Sequence, residues 1–446
     1  MSLKSKTFEK LEVAVDDADA STENGVKILA LVASAVKNLN DGTDIEEDVY
    51  QIGVAGELGF GVATCASDLI PSGWRGLVGH DNIISPNYGN YVDSNGSILV
   101  YIPKHYYKYS GNTLDISHRP LSGFVIDRSF INAGAEINGI FVYKYGAVNS
   151  NGIFASKKNL DPLSTSPLHN PIGNLNGSPA NENGGLYEAV KTAGAGYCLT
   201  AIFHYSMLAR LAFVHGKAAT TTIACAYSDV NPKLPKGNLA NSLADVDDTS
   251  VTFSPSVYPF CALTGSGEPF AKTTHNGQDC GIADLNGNMW EVASGFIRNT
   301  ADFLILREST DILTIDDDST SGGAYDASLY DVLVPITPDT DDILLSGTGW
   351  TYLGDGAESV FAMNTSRTTS DYKRTALGIP KLTGVSGSGT TEFGKDGIYK
   401  SLQSDMSCIV GGNWGDTSDA GVFAMMLYYY RTSSGNYAGG RASYLV

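Results

Sequence analysis

The chain has 446 residues, more than one hydrophobic core comfortably serves, so two or three domains are expected. With 29 Lys+Arg against 48 Asp+Glu the formal charge is −19, which repels phosphate backbones and anionic membrane surfaces and argues against nucleic acid as a partner. Only 17% of residues are charged, while 50 are glycine and 24 tyrosine; that describes short strands, many turns and wide uncharged surfaces rather than a helical metabolic enzyme.

Residues 1–45 read as a helical attachment or oligomerisation arm. Met1-Ser2-Leu3-Lys4-Ser5-Lys6 leads into charged residues without an apolar signal core. The longest apolar stretch, 26–36, is too short to span a bilayer. A soluble chain made in a cytoplasm, without membrane insertion, is therefore expected. Ser21 or Thr22 can cap a helix that runs to Asn40, where Asn40-Asp41-Gly42 supplies a stop. Leu29, Val32, Val36 and Leu39 are spaced by three, four and three, the rhythm of a coiled-coil seam; an amphipathic helix docked on its own domain fits that spacing equally well.

Residues 46–185 read as a β-rich domain. The runs 97–103 and 105–109 cluster β-branched and aromatic residues, Ser110-Gly111-Asn112 breaks them, and 123–126 and 139–145 repeat the pattern. Residues 159–184, rich in Asn, Pro, Ser and Gly, read as loop. A third domain is expected over 186–446. Helical periodicity spans 200–215, with Phe203, Met207, Leu211 and Val214 on one face and Gly216 as C-cap. Past residue 300 come acidic Ser/Thr/Gly-rich connections such as 316–323, which read as long surface loops. The expected fold class is a β-rich α+β protein, an N-terminal helix and β domain followed by the third domain.

Several catalytic and metal patterns fail on a specific residue. Gly389-Thr390-Thr391-Glu392-Phe393-Gly394-Lys395 has the glycines and lysine of a phosphate-binding loop, but Asp396 stands where a magnesium-binding hydroxyl is needed. Asp316, Asp318 and Thr320 begin like a calcium loop, yet the glycine comes one place late and no Glu follows at the twelfth position. The seven histidines form no HxxxH or HExxH pair; His204 and His215, eleven apart on one helix, read as structural. Cys65, Cys198, Cys225, Cys261, Cys280 and Cys408 make no CxxC pair and read as buried free thiols, with a disulfide as the alternative. No GxSxG elbow occurs. No cofactor or metal is indicated by a motif, and a structural calcium ion in some other geometry stays open.

Two segments carry a resemblance. Gly281-Ile282-Ala283-Asp284-Leu285-Asn286-Gly287-Asn288-Met289-Trp290-Glu291-Val292 resembles the D-L-x-G-N-x-W-E signature of the formylglycine-generating branch of the C-type lectin fold. Gly411-Gly412-Asn413-Trp414, then Gly421, then Gly439-Gly440-Arg441-Ala442 resembles that branch's closing GG-x-W … G … G-x-R-A pattern. The resemblance covers roughly 185–446 and implies a C-type lectin-like domain there. Read from the residues themselves, Asn286, Gly287 and Asn288 make a tight turn, with Gly287 free to take positive φ. Trp290 and Trp414 belong to the same motifs, and Trp290 buries an indole. Gly411 and Gly412 allow close approach or a bulge, and Arg441 can tie a carboxylate or carbonyl through its forked donors. The oxidases of the branch bind copper through two cysteines of the closing segment; no cysteine occurs from 411 to 446, so the resemblance implies the fold without that chemistry.

In place of the cysteines stand Asp416, Thr417, Ser418 and Asp419, then a run over 428–437 rich in Tyr, Ser, Asn and Gly, the residues that adaptable recognition loops use. That segment resembles the variable region of phage tropism determinants diversified by retroelements. By that resemblance Asn413, Asp416, Ser418, Tyr428, Tyr430, Ser434, Asn436 and Tyr437 are expected to be ligand-binding, with core or interprotomer packing as the alternative for individual tyrosines. The runs 100–109 and 142–145 also resemble phage tail proteins of this broad group, whose members are often homotrimers. The expected function is a non-enzymatic receptor-binding protein of a phage tail fibre or baseplate. It would be virion-located and contact other tail proteins and a host-cell surface protein or glycan. The alternatives are a structural virion protein using the fold for subunit assembly and, third, a polysaccharide depolymerase with a spatial pair of carboxylates.

Overall fold

Ile98–Pro103 and Gly139–Tyr143 are runs of apolar and aromatic residues with almost no polar alternation, and both are buried on both faces, as central strands are. They belong to a computed structural model that describes residues 52–110, 113–218, 225–227, 250–255, 258, 260–267, 273–300, 302–335, 348–352, 366–379, 396–401, 403–416 and 420–446. The expected arm at 1–45 and the glycine–lysine loop at 389–395 lie outside those residues.

The chain is a β-rich α+β protein built on two principal sheets. The first is antiparallel, in the order Arg75–Gly76, Asn90–Val92, Ile98–Pro103, Gly139–Tyr143, Ala442–Leu445, Tyr197–Leu199. Its fifth member is the chain's closing strand, with Ser443 opposite Val142 on one side and Cys198 on the other. The expected boundary at 185/186 therefore does not separate two cores. The last strand of the later region completes the sheet of the earlier one, and one buried cluster runs from Ile52 to Ala442. A local pattern cannot report this, because strand pairing across some 300 residues is set by the whole sheet.

The second sheet runs Tyr330–Pro335, Asp302–Leu306, Trp290–Arg298, Met406–Val410, Met425–Leu427, Gly397–Lys400, Gly349–Tyr352. Trp290–Arg298 is wholly buried and carries a register shift between Ala293 and Ile297. Gly295 sits in that bulge at φ +82, and a Cβ there would lie 3.1 Å from the Phe203 ring. The bulge thus lets a helix pack directly on the strand.

That helix is Ile202–Ala218. Phe203, Met207, Leu211 and Val214 are buried as expected, but so is every residue from Ile202 to His215, including Arg210. It is a core helix enclosed all round rather than an amphipathic surface one. Arg210 is neutralised by Asp127, with Nη2 at 2.6 Å and Nε at 3.2 Å from Oδ2. Gly216 does not stop the helix; a Cβ there would lie 2.8 Å from the Tyr227 ring, so its role is close approach. All six cysteines are buried free thiols. Among the described residues no helix is long and apolar enough to cross a membrane.

Candidate recognition surface

The two motif segments come together in the core. Gly287 has φ +125 and Asn288 φ +72, a tight turn whose Asn288 side chain clasps Ala262, accepting from its N–H at 2.8 Å and donating to its C=O at 2.9 Å. The turn delivers Trp290, 1% exposed, into a strand whose Trp290 and Glu291 pair in parallel with Ala438 and Gly439. Arg441, fully buried, donates to Glu291 Oε2 at 2.7 Å and Oε1 at 2.6 Å, and to the carbonyls of Tyr143 and Ala283. Tyr205 donates to Glu291 Oε2 at 2.6 Å. One forked side chain thus joins both sheets, the expected role with its partners now specified. Glu291 and Asp284 face a cavity of only about 10 Å³, space for roughly one water. Asp284 accepts the Gly265 N–H at 2.9 Å, so both carboxylates serve as structural acceptors.

Gly411 at φ +93 and Gly412 at φ +90 turn the chain out of Met406–Val410. A Cβ on Gly412 would lie 2.4 Å from the Ala420 Cβ and 2.7 Å from its Cα. Gly412→Ala is expected to cost about 1–3 kcal/mol, because backbone strain and a backbone clash act together; a shift in the urea midpoint measures it, and an unchanged midpoint would refute the argument. Beyond the turn, Asn413 and Asp416 close on each other. Asp416 Oδ2 accepts the Asn413 N–H at 2.7 Å, and Asn413 Oδ1 accepts the Gly415 N–H at 2.6 Å. These two expected ligand contacts serve the loop's own shape first. Trp414 is buried against Met289 and Cys261, and Ser418 lies outside the described residues.

The segment 428–437 is a loop held by its backbone. Asn183 N–H donates to Ser433 O at 2.8 Å, Gly184 N–H to Arg431 O at 2.8 Å, and Gly435 N–H to Thr165 Oγ1 at 3.0 Å. Arg431 donates to Asp318 O at 2.5 Å and lies over the Tyr325 ring, which anchors the acidic 316–323 loop beside it. The stretch 159–184, which reads as loop in the sequence, is therefore the bed under the segment. Of the expected contacts, Tyr428 and Tyr430 are each 41% exposed. Ser434 is exposed, its hydroxyl donating to Thr165 O at 2.6 Å. Asn436 is half-buried, with its carbonyl 2.9 Å from His169 Nδ1. Tyr437 is also half-buried, its hydroxyl 2.8 Å from that of Tyr429, and it packs on the core; for this tyrosine the packing alternative applies.

The structure adds residues that the sequence reading missed. Trp350 pairs with Tyr399, and Tyr399 with Met426, so these three half-buried side chains share one row across three strands. Ring contacts continue the row, from Trp350–Tyr399 at 5.3 Å to Tyr399–Tyr428 at 5.7 Å, Tyr428–Tyr429 at 5.4 Å and Tyr429–Tyr437 at 6.1 Å. Gln403 accepts the Tyr430 hydroxyl at the row's edge. The alternation in Gly349-Trp350-Thr351-Tyr352 was the available signal, but only sheet order sets it beside Tyr428.

Next to the loop, Asp161, His169 and Cys261 bring a carboxylate oxygen, an imidazole nitrogen and a thiol sulfur within 4.8 Å of one another. His169 Nε2 lies 2.9 Å from Asp161 Oδ1. Burial pulls the imidazole down, but its bonds to Asp161 and to Asn436 O outweigh that and hold it above its usual value. No family model and no curated protein matches the chain.

Proposed function

We propose that the chain is a non-enzymatic receptor-binding component of a phage tail fibre or baseplate, whose lectin-like C-terminal region binds a host-cell surface protein or glycan. The observation that carries this reading is the Trp350–Tyr399–Tyr428 row with exposed Tyr428 and Tyr430 beside it, set on a sheet and a backbone-pinned loop. Large rings held rigidly contribute contact area at little entropic cost on binding, which is what a recognition surface needs. The resemblance of 428–437 to the variable region of phage tropism determinants, and of 100–109 and 142–145 to phage tail proteins, supplies the phage context, and a homotrimer would multiply weak contacts per head.

The test is binding of the purified protein to intact cells of candidate hosts, comparing wild type with Tyr428→Ala/Tyr430→Ala. A ring anchor that is a hot spot contributes about 2 kcal/mol, so the double variant is expected to bind from about thirtyfold (one hot spot) to about a thousandfold (two) more weakly, with unchanged circular dichroism. Undiminished binding sinks the assignment to this face. Loss of subunit association in the double variant, rather than of cell binding, makes the surface an assembly interface within the virion.

A further inference from the structure

The cluster beneath the recognition loop has a donor set of another kind. Asp161 and His169 come from one loop and Cys261 from a stretch 92 residues beyond His169, yet their ligand atoms lie within 4.8 Å of one another. The His169 side chain is fully buried, whereas that of Asp161 is 27% exposed, which leaves a path from solvent. His169 Nδ1 is 2.9 Å from the Asn436 carbonyl. A carbonyl only accepts, so Nδ1 donates to Asn436 O, and Nε2–H donates to Asp161 Oδ1 at 2.9 Å. Removal of the Nε2 proton leaves a lone pair beside a carboxylate oxygen with a cysteine sulfur adjacent, three donors turned to one point. Among the described residues the Cys261 sulfur makes long contacts, 3.5 Å to Ala262 O and 3.6 Å to Asn288 Oδ1.

We propose that Asp161, His169 and Cys261 form a binding site for a borderline divalent transition metal of the zinc type, which fastens the 161–169 loop to the Cys261 segment beneath the recognition surface. Thiolate and imidazole select such an ion and reject calcium or magnesium, which take oxygen ligands. Tetrahedral zinc with bonds of about 2.0–2.3 Å sets ligand atoms about 3.3–3.8 Å apart, so the three donors close on an ion with movements of about 1 Å or less. The Nδ1–H bond to a backbone carbonyl is the outer support that orients ligating histidines. Binding displaces two protons to solvent, one from the Cys261 thiol and one from His169 Nε2, while Asp161 enters as carboxylate. Solvent completes the fourth position on the Asp161 side. Because His169 also holds Asn436 and packs edge-on to Trp414 at 6.4 Å, the ion stiffens the segment that presents the recognition residues.

The site stands independently of receptor binding and is read by spectroscopy. The full chain, stripped with a chelator and titrated with Co²⁺ alone, is expected to take up one equivalent. Near-ultraviolet thiolate-to-cobalt charge transfer should appear and be bleached by Zn²⁺. Cys261→Ser and His169→Gln each abolish the band, whereas Cys408→Ser, at a thiol buried elsewhere in the core, keeps it. Asp161→Asn, at the half-exposed position, keeps the circular dichroism spectrum and weakens the cobalt affinity at least about tenfold. No charge transfer in the wild type overturns the proposal and leaves the cluster as an imidazolium–carboxylate pair beside a thiol. A band that survives Cys261→Ser, or an unchanged affinity in Asp161→Asn, overturns it equally.

Discussion

Glu291→Gln is expected to lower the unfolding free energy by about 3–5 kcal/mol, although it changes one atom and leaves the side-chain volume untouched. Arg441 is fully buried, and four of its contacts converge: both Glu291 oxygens and the carbonyls of Tyr143 and Ala283. The amide keeps an acceptor but removes the charge, so a guanidinium remains in the core without a counter-ion. It also turns an N–H pair toward donors. Tyr205, whose hydroxyl donates a hydrogen bond to Glu291, loses part of its acceptor as well. Urea denaturation at neutral pH measures the loss. The double variant Glu291→Leu/Arg441→Met removes both charges and is expected to be markedly more stable than the additive sum of the two single changes. Additivity within about 0.5 kcal/mol would mean that the two side chains do not act as a pair.

Acid is expected to unfold the chain steeply, beginning well above the carboxylate range. Three buried histidines accept backbone N–H groups through Nδ1: His204 from Ala201 at 3.3 Å, His215 from Gly56 at 3.1 Å and His275 from Ile282 at 3.2 Å. Protonation of that nitrogen would destroy the bond and bury a charge. Burial accordingly lowers His204 from 6.5 to about 3, His275 to about 3 and His215 to about 4. Arg128 also disfavours charge on His204 while Asp127 opposes it; His215 disfavours charge on His275, and His215 itself stacks on Phe60 at 5.4 Å. Above the unfolded value of 6.5 the three rings are neutral in both states and stability is unaffected by their titration. Below it the unfolded chain binds three protons that the folded chain refuses, so stability falls as pH falls, by about 1.4 kcal/mol per unit for each ring, until the folded values are reached. Together the three predict a loss of about 4 kcal/mol per unit between roughly pH 6 and 4.5, which consumes a typical domain's stability within two or three units. Unfolding free energies from urea titrations across pH 7 to 5 test this. His275→Gln should remove about a third of the slope, and a flat profile over that range would show that the rings are charged or hydrated in the folded state.

Much of the architecture was legible because it is local. The apolar runs at 98–103 and 139–143 became strands, the 200–215 periodicity became the Ile202–Ala218 helix, and Asn286-Gly287-Asn288 became a turn with positive φ. Short-range sterics and burial patterns determine such elements. The helix also shows the limit of that reasoning. Gly216 looked like a stop, but a glycine that ends a helix and one that admits a neighbouring ring are the same residue in the sequence; only the position of Tyr227 tells them apart.

The candidate surface divides in the same way. Tyr428 and Tyr430 stood out by composition and are exposed, whereas Tyr437, two residues past Ser434-Gly435, turns inward to meet Tyr429. The alternation around Trp350 marks a strand but not its neighbours; that Trp350 and Tyr399 belong to the row depends on the strand order that sets Gly349–Tyr352 and Gly397–Lys400 beside Met425–Leu427. What the sequence by itself determined is the β-rich class, the central strands, the core helix, the two glycine turns and the chemical character of the closing loop, since each depends on residues within a few positions of one another. Only the tertiary structure decided that the closing strand Ala442–Leu445 completes the first sheet, that Arg441 finds Glu291, and that Asp161, His169 and Cys261 meet under the 428–437 loop. Apart from Asp161–His169, those contacts join residues 92 to 305 positions apart in the chain, and their geometry follows from packing and pairing of the whole core, to which no local pattern of side chains has access.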